Sequence, residues 1–323
     1  MYEYATAIGL DIGRTMIHTA LVRYGGKIID DFSYKYDSIS DRDMLIKMVI
    51  EAVSRTRKEA AAHNVNPLCV GIAAKGFIDY REGIILGPDQ GIDGWKDVPL
   101  GKMVSSETGL PVFLDNDANL MAIAEHYNGA ARGFANVVFV ALRSGIGGAI
   151  IIEGKLYRGT DNAGGEIGQM SLDMFGQYSD KGIRGSFEYF ASSVALVRNY
   201  LLMSGQIKNT TNDFKDKLSA RDVFELGHNG DYYAKMAIKD NANYIGAGLA
   251  NLISIFSPDI IILGGGMAMA GDEYFDMIKD SANSNSIEFC RKNVKIVRAK
   301  LGLHASLQGA GIYALTRLDG KHI

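Results

Sequence analysis

The sequence contains little cysteine, no long uninterrupted apolar run and no large excess of either charge. Its cysteines are Cys69 and Cys290, which form no CxxC pair, so neither a disulfide framework nor a cysteine-rich zinc site is expected. A net charge of −3 disfavours a nucleic-acid-binding protein. The most apolar stretch, residues 137–152, is interrupted by Arg143 and by glycines and predicts no membrane span. The first strand is reached by residue 7, which leaves no room for a signal peptide, so we expect a cytoplasmic protein.

Proline is also scarce, with 5 residues, whereas glycine is abundant, with 38. Most of the glycines cluster between short apolar runs, where glycine permits tight turns and close approach of the backbone to a ligand. A chain of 323 residues is long for a single hydrophobic core, so two domains are expected. The glycine clusters are therefore the first places to look for ligand-binding turns.

The same pattern of strands and turns occurs twice. Residues 5–35 predict three strands, the last two joined by a hairpin turn at Gly25-Gly26. Residues 137–157 repeat the pattern, with a glycine turn over 143–148 and a hairpin turn at Gly154-Lys155. The repeat favours two related halves of a duplicated α/β fold, although two unrelated hairpins would give the same pattern. Helices are predicted over residues 41–62, 118–127, 186–203, 219–228 and 231–256.

Three glycine-containing turns are candidates for ligand binding. The first is Asp11-Ile12-Gly13-Arg14-Thr15, where backbone N–H groups and a hydroxyl can hold phosphate oxygens and Asp11 can hold Mg²⁺ through water. The second, Ser144–Gly148, occupies the equivalent place in the repeat. Either turn alone is compatible with an ordinary hairpin, but the two together favour a phosphate clamp. The third, Gly264–Gly266, lies between a strand and a helix and suits close ligand approach or, equally, close helix–strand packing.

Carboxylates and an amide complete the set of candidate residues. Asn116 and Asp117 lie at a predicted strand-to-helix junction, where Asp117 suits a general base and Asn116 a hydrogen bond to a neighbouring hydroxyl. Either residue would also serve simply as the helix N-cap. Glu166 and Glu188 offer two further carboxylates for sugar hydroxyls, or else a solvated turn and a helix-surface charge. A base combined with phosphate-binding turns predicts phosphoryl transfer to a polyhydroxy substrate.

Several segments, in this order, resemble the ROK family of sugar kinases and sugar-responsive repressors. The most specific are LDNDAN at 114–119, the glycine-rich segment 144–170 and IILGGGMA at 261–268, and segments 8–15, 71–85, 94–100 and 301–315 also fit. The resemblance covers nearly the whole chain. It implies an α/β protein of the duplicated actin/hexokinase/Hsp70 (ribonuclease H-like) fold. The implied domains are residues 1–118 and 119–323, with a cleft between them and a C-terminal helix that packs back on the first domain.

The resemblance also implies an activity, the ATP-dependent phosphorylation of a hexose as in a glucokinase, with Asp117 as the catalytic base. The implied sugar contacts are Gly76, Asn116, Asp117, Glu166, Gln169 and Glu188. The residues implied to surround the ATP phosphates and Mg²⁺ are Asp11, Gly13, Arg14, Thr15, Ser144 and Gly145, with Asp11 holding the metal indirectly and Gly265 and Gly266 approaching the nucleotide. A homodimer or homotetramer is expected, without a nucleic-acid or membrane partner.

The chain departs from the family pattern at several functional positions. Arg14 replaces a glycine of the first phosphate motif, and Lys75 replaces a proline of the sugar-binding loop. The four zinc ligands of the family fall on Gln169, Ser179, Lys181 and Ser186. Serine hydroxyls and a lysine ammonium are poor partners for a dication, so no structural zinc site is predicted. Loop 170–188 is expected to be held by packing and hydrogen bonds, with Phe175, Tyr178 and Phe187 as its apolar anchors.

The departures at Arg14, Lys75 and Gln169 favour an alternative function, that of a non-catalytic sugar-binding regulator. The family's repressors carry a helix-turn-helix before the first strand, and we expect no room for one in this chain. Such a regulator would therefore act without a DNA-binding domain. The sequence does not fix the sugar or the hydroxyl that is phosphorylated, and glucose is the default expectation.

Overall fold

The computed structural model describes residues 4–13, 15–36, 41–87, 92–208 and 218–321. By its internal contacts the chain divides into two compact units. Unit 1 comprises residues 1–135, 150–164 and 300–323, and unit 2 comprises residues 136–149 and 165–299. The units interleave along the sequence, and the sequence-based division after residue 118 stays a prediction.

Strands and helices alternate along the described part of the chain. The strands are β1 (Thr6–Ile12), β2 (Met16–Arg23), β3 (Ile28–Lys35), β4 (Cys69–Ala74), β5 (Phe77–Asp79), β6 (Ile84–Gly87), β7 (Val112–Asn116), β8 (Val137–Leu142), β9 (Ile146–Ile152), β10 (Lys155–Tyr157), β11 (Ile260–Gly264) and β12 (Lys295–Arg298). The helices are α1 (Arg42–Ala60), α2 (Leu100–Thr108), α3 (Asp117–Asn128), α4 (Phe187–Ala191), α5 (Ser193–Met203), α6 (Ala220–His228), α7 (Tyr232–Phe256), α8 (Asp272–Ser284), α9 (Glu288–Arg291) and α10 (Ala305–Leu318). None of the helices in these residues is long and apolar enough to cross a membrane.

Two five-stranded sheets share one topology. The first has the order β3-β2-β1-β4-β7, with an antiparallel meander of β1, β2 and β3 and a parallel set of β1, β4 and β7. The second has the order β10-β9-β8-β11-β12, with β9 and β10 antiparallel and β8, β11 and β12 parallel. The predicted repeat and the predicted α/β class are therefore confirmed. Strands β1, β4, β8 and β11 are almost wholly buried and apolar, as parallel strands covered on both faces must be.

Helix α10 lies unusually close to the first sheet because glycines remove the side chains between them. A Cβ on Gly9 in β1 would lie 2.2 Å from the carbonyl oxygen of Leu307, and one on Gly71 in β4 would lie 1.9 Å from that of Ala310. On the helix itself, a Cβ on Gly309 would lie 1.8 Å from the carbonyl oxygen of Leu120 in α3. Backbone-to-backbone packing therefore fixes α10 against β1, β4 and α3.

Some predicted boundaries were wrong. The glycine turn predicted over 143–148 is shorter, because β9 already begins at Ile146 and contains two of the glycines. The helix predicted over 186–203 is broken at Ser192, whose extended backbone (φ −71°, ψ 167°) and side-chain bond to the Ala195 N–H begin a new helix. The hairpin of β5 and β6 and the helix α2 were not predicted. Each element is short, and its apolar residues show no clear alternating or helical period.

Replacing Gly309 by alanine tests the close packing of α10. In a helix interior the change from glycine to alanine normally stabilises by about 1 kcal/mol. Overpacking a core costs about 1–3 kcal/mol, and the atom in the way here belongs to the backbone of Leu120. Gly309→Ala is therefore expected to lower the free energy of unfolding, which urea denaturation measures. A stabilised variant would show that the helix is not packed this tightly.

Candidate functional site

The junction of β7 and α3 presents Asp117. Asn116 is the N-cap of α3, with extended backbone (φ −62°, ψ 144°), and its Oδ1 accepts the N–H of Ala118 at 2.9 Å. Asp117 is the first residue of the helix, half-buried, and its Oδ1 accepts the same N–H at 3.0 Å. Asn116 therefore takes the capping position, and Asp117 stands in the first turn, where the helix dipole favours a negative charge.

The loop after β4 is tied to this junction. Gly76 has a φ of +90°, which favours glycine, and its carbonyl oxygen accepts a hydrogen bond of 3.0 Å from Nδ2 of Asn116. The preceding residue, Lys75, is exposed. Gly76, Asn116 and Asp117, all predicted to contact the sugar, are thus neighbours in unit 1.

A buried ion pair lies directly behind the junction. Asp115, which is 2% exposed, accepts hydrogen bonds of 2.9 and 2.7 Å on Oδ2 from Nε and Nη2 of Arg158. Sequence reasoning missed this pair. An aspartate at the end of an apolar strand is a signal for a buried partner, because an unpaired buried charge is costly. Nothing near Asp115 in the sequence identifies that partner as Arg158, which follows β10.

The first glycine turn places Asp11 beside the N-terminus of α10. Oδ2 of Asp11 accepts a hydrogen bond of 2.6 Å from the hydroxyl of Ser306, which is buried. The Gly13 N–H donates to the carbonyl oxygen of Met16 at 2.9 Å, and the Tyr36 hydroxyl donates to the carbonyl oxygen of Gly13. Burial, and secondarily the charge of Asp11, raise the pKa of Tyr36 above its ordinary value, so its hydroxyl keeps its proton and remains a donor.

Two other residues of this turn, Arg14 and Thr15, were predicted to bind phosphate. Thr15 is exposed, and its carbonyl oxygen accepts the N–H of Tyr36 at 3.1 Å. Arg14 lies outside the described residues. The turn is therefore closed by backbone bonds and by Tyr36, with Asp11 oriented by Ser306 from α10.

The second glycine turn lies against Glu188. The Ile146 N–H donates to Oε2 of Glu188 at 2.8 Å, and a Cβ on Gly145 would lie 2.5 Å from the same oxygen. A side chain at position 145 would therefore force the Glu188 carboxylate to move. The turn is also fixed on its other side, since the Arg143 carbonyl oxygen accepts the N–H of Ser193 at the start of α5. The structure therefore joins Gly145, a predicted phosphate-binding residue, to Glu188, a predicted sugar-binding residue.

Glu188 collects two further donors. Nζ of Lys181 lies 3.0 Å from Oε1 of Glu188, and Nε2 of Gln169 lies 3.5 Å from the same oxygen. The Oε1 atom of Gln169 is buried and has no hydrogen-bond partner among the described residues. The family pattern identifies Lys181 only as a replaced zinc ligand, and nothing in the sequence predicts its pairing with Glu188.

Glu166 is exposed and directly precedes a 3₁₀ turn over Ile167–Gln169. The segment leading to it packs tightly on β9, because Gly165 has a φ of +92° and a Cβ on Gly148 would lie 2.4 Å from Ile167. Close packing of the glycines, and not a long flexible turn, therefore sets the position of Glu166.

The glycines after β11 lie beside the second glycine turn. Gly265 has a φ of +88°, and a Cβ there would lie 2.3 Å from the carbonyl oxygen of Leu142 at the end of β8. A Cβ on Gly266 would meet nothing within 4 Å. The segment continues into a 3₁₀ turn (Met267–Met269), and α8 starts only at Asp272. Close packing thus explains Gly265, whereas the open space at Gly266 suits approach of a ligand.

Loop 170–188 is held by packing and hydrogen bonds as predicted, but with one of the three predicted apolar anchors. Phe187 is fully buried and packs against Gly248 of α7, as expected. Phe175 and Tyr178 are 80% and 61% exposed, so their predicted role as anchors was wrong. The loop is instead closed by backbone bonds, with Leu172 N–H donating to Gly185 at 2.8 Å and Phe187 N–H to Met170 at 2.7 Å. Because the backbone closes the loop, it does not need those two aromatic side chains in the core.

Comparison with known proteins identifies the family. A model described as "ROK family" matches residues 7–317, and the chain belongs to that family. A glucokinase of Thermotoga maritima is 30% identical over 323 residues, which cover 97% of this chain and 98% of that protein. A putative xylose repressor of a Caldicellulosiruptor species is 29% identical over 306 residues, which cover 94% of this chain and 76% of the repressor.

A solved structure gives the same assignment. It is a ROK family glucokinase from Streptomyces griseus in complex with glucose and AMPPNP, which matches with a TM-score of 0.81 and 30% identity over 97% of this chain and 100% of that one. The predicted actin/hexokinase-like fold is confirmed. Relatives named as kinase and as repressor are about equally similar to the chain.

Removal of metal is expected to leave the protein unchanged. Among the described residues no group of three or more His, Cys, Asp and Glu side chains could hold a metal ion. Backbone bonds and the pair of Lys181 and Glu188 hold loop 170–188 instead. We therefore expect untagged protein to contain no stoichiometric zinc by elemental analysis and to melt at the same temperature with and without a chelator. One equivalent of zinc, or a large chelator-induced loss of stability, would contradict this account.

Proposed function

We propose that the protein is an ATP-dependent hexose kinase, with glucose as the first candidate acceptor. The observation that carries the proposal is the position of Asp117. It is the first residue of α3, and it follows an N-cap residue whose amide is bonded to the loop carrying Gly76. A carboxylate held in this way suits a general base for a sugar hydroxyl. The names of the Thermotoga and Streptomyces relatives support the same class of reaction.

In the proposed mechanism Asp117 accepts the proton of the attacking hydroxyl. The hydroxyl oxygen bonds to the γ-phosphorus of ATP, and the bond from that phosphorus to the bridging oxygen breaks to release ADP. Phosphoryl transfer depends mainly on positioning and on neutralisation of charge. Gly76, Asn116, Glu166, Gln169 and Glu188 are the residues we propose for holding the sugar.

The phosphates are proposed to bind at the two glycine turns. We assign Asp11, Gly13, Arg14 and Thr15 of the first turn and Ser144 and Gly145 of the second to this role, with Gly265 and Gly266 near the nucleotide. Mg²⁺ prefers oxygen ligands and keeps several bound waters, and a carboxylate can accept hydrogen bonds from those waters. Asp11 therefore fits a Mg²⁺ that would neutralise phosphate charge. Ser306 keeps the Asp11 carboxylate oriented through its hydroxyl.

A second candidate function is a sugar-binding regulator that does not phosphorylate. The observation that favours it is the departure from the family pattern at Lys75, which is exposed next to Gly76, and at Gln169, whose Nε2 lies 3.5 Å from Glu188. The similarity to the Caldicellulosiruptor repressor supports the same reading. A regulator of this kind would bind a sugar through the same residues and signal through a protein partner.

One pair of measurements separates the two candidates. Coupled ADP release is measured across hexoses, N-acetylhexosamines and β-glucosides, and thermal melting is recorded with the same sugars. A kinase releases ADP with at least one of them. A regulator shows a rise in melting temperature with a sugar but no ADP release. We also propose a homodimer or homotetramer, which light scattering would distinguish from a monomer.

Asp117→Asn tests the proposed base. The amide keeps the size and the hydrogen-bond acceptor of the carboxylate but cannot take the proton, so kcat is expected to fall about 10²–10⁴-fold. The matched control is Asp43→Asn, because Asp43 is also in the first turn of a helix, α1, and is exposed. It should leave kcat unchanged. Equal turnover in Asp117→Asn and in the unmodified protein would remove Asp117 from the mechanism.

A further inference from the structure

The Asp115 carboxylate accepts four hydrogen bonds. Oδ2 receives Nε and Nη2 of Arg158 at 2.9 and 2.7 Å, and Oδ1 receives the backbone N–H of Asn116 at 2.7 Å and Nδ2 of Asn119 at 2.8 Å. The side chains of Asp115 and Arg158 are 3% and 10% exposed. Water therefore competes little for these bonds, and charge-assisted bonds of this kind fix geometry strongly.

Arg158 itself contacts two aromatic rings. Its guanidinium lies 4.2 Å from the centre of the Tyr80 ring and 5.7 Å from that of Tyr313. Tyr313 belongs to α10 and is fully buried. Tyr80 follows β5, in the same loop region as Gly76. Contact with two aromatic rings limits the freedom of the planar cation to rotate, so its two N–H groups, which converge on Oδ2, hold that oxygen of Asp115 in place.

The other oxygen, Oδ1 of Asp115, accepts hydrogen bonds from one residue before Asp117 and one residue after it. Asn116, bonded through its main-chain N–H, precedes Asp117 and caps α3. Asn119, bonded through its side chain, lies in the first turn of the same helix. These two bonds connect the ion pair directly to the first turn of α3, which carries Asp117.

We propose that Arg158 and Asp115 are positioning residues, which together fix the direction in which Asp117 is presented. The inference rests on the proposed role of Asp117. A lysine at position 158 would keep the charge but lose the rigid pair of N–H donors that converge on Oδ2, and a methionine would lose both the charge and the donors. Misplacement of a catalytic group by about 1 Å costs on the order of 10²-fold in rate.

The test compares Arg158→Lys and Arg158→Met with Val49→Ala. Val49 is a fully buried residue of α1 in the same unit, away from the junction, so its truncation lowers stability without touching Asp115. For Arg158→Met we expect kcat to fall about 10²-fold with the sugar KM nearly unchanged, for Arg158→Lys a smaller fall, and for Val49→Ala none. Arg158→Lys retains the buried positive charge and keeps the proposal testable if the methionine variant does not fold.

Hydrogen–deuterium exchange gives a readout that does not depend on turnover. In the Arg158 variants the peptide covering residues 112–120 should exchange faster relative to the rest of unit 1, whereas Val49→Ala should speed exchange without singling out that peptide. Identical exchange at 112–120 in Arg158→Lys and Val49→Ala, or equal changes in kcat, would overturn the positioning role. Absence of ADP release from the unmodified protein would instead refute the kinase proposal, and the exchange comparison would still decide whether the pair fixes the junction.

Discussion

A single buried carboxylate, that of Asp115, orders the region on which the proposed chemistry depends. Burying an ionised group costs several kcal/mol unless partners replace its water. Arg158 replaces water on one oxygen, and the Asn116 N–H and the Asn119 amide replace it on the other. Because these partners come from separate segments of unit 1, the hydrogen bonds to this one carboxylate also hold β7, α3 and the chain after β10 together. The position of Asp117 follows from that arrangement.

Unit 2 uses a comparable device at its glycine turn. Glu188 accepts the N–H of Ile146, and its Oε2 would lie 2.5 Å from a Cβ on Gly145. Lys181 and Gln169 approach the other oxygen, at positions where the family pattern has zinc ligands. The Lys181 side chain is 53% exposed, and pairs as open to solvent as this contribute at most about 1 kcal/mol. The loop therefore depends chiefly on its backbone bonds and on Phe187, while Lys181 orients Glu188.

The sequence allowed the repeat, the glycine turns and the junction at Asp117 to be predicted, because each depends on local period or turn chemistry. It did not allow Arg158 to be paired with Asp115, or Ser306 with Asp11, since those partners are far apart in the chain. Gly145 was predicted to lie at the ATP phosphates and Gly265 near the nucleotide, with close packing left open for residues 264–266. The structure shows that a Cβ on Gly265 would lie 2.3 Å from the carbonyl oxygen of Leu142, a contact that the local sequence does not reveal. Burial of Phe175 and Tyr178 was predicted from side-chain type alone, and a loop closed by its own backbone has no need of them.

The central claim is that this fold transfers a phosphoryl group from ATP to a sugar. The most direct measurement is mass spectrometry with phosphorus NMR on the sugar recovered after incubation with the protein, ATP and Mg²⁺. The account predicts a phosphorylated hexose formed in the same amount as ADP, at a rate about 10²–10⁴-fold lower when Asp117 is replaced by asparagine. Release of ADP with inorganic phosphate and unmodified sugar, or sugar binding with no consumption of ATP, would contradict it.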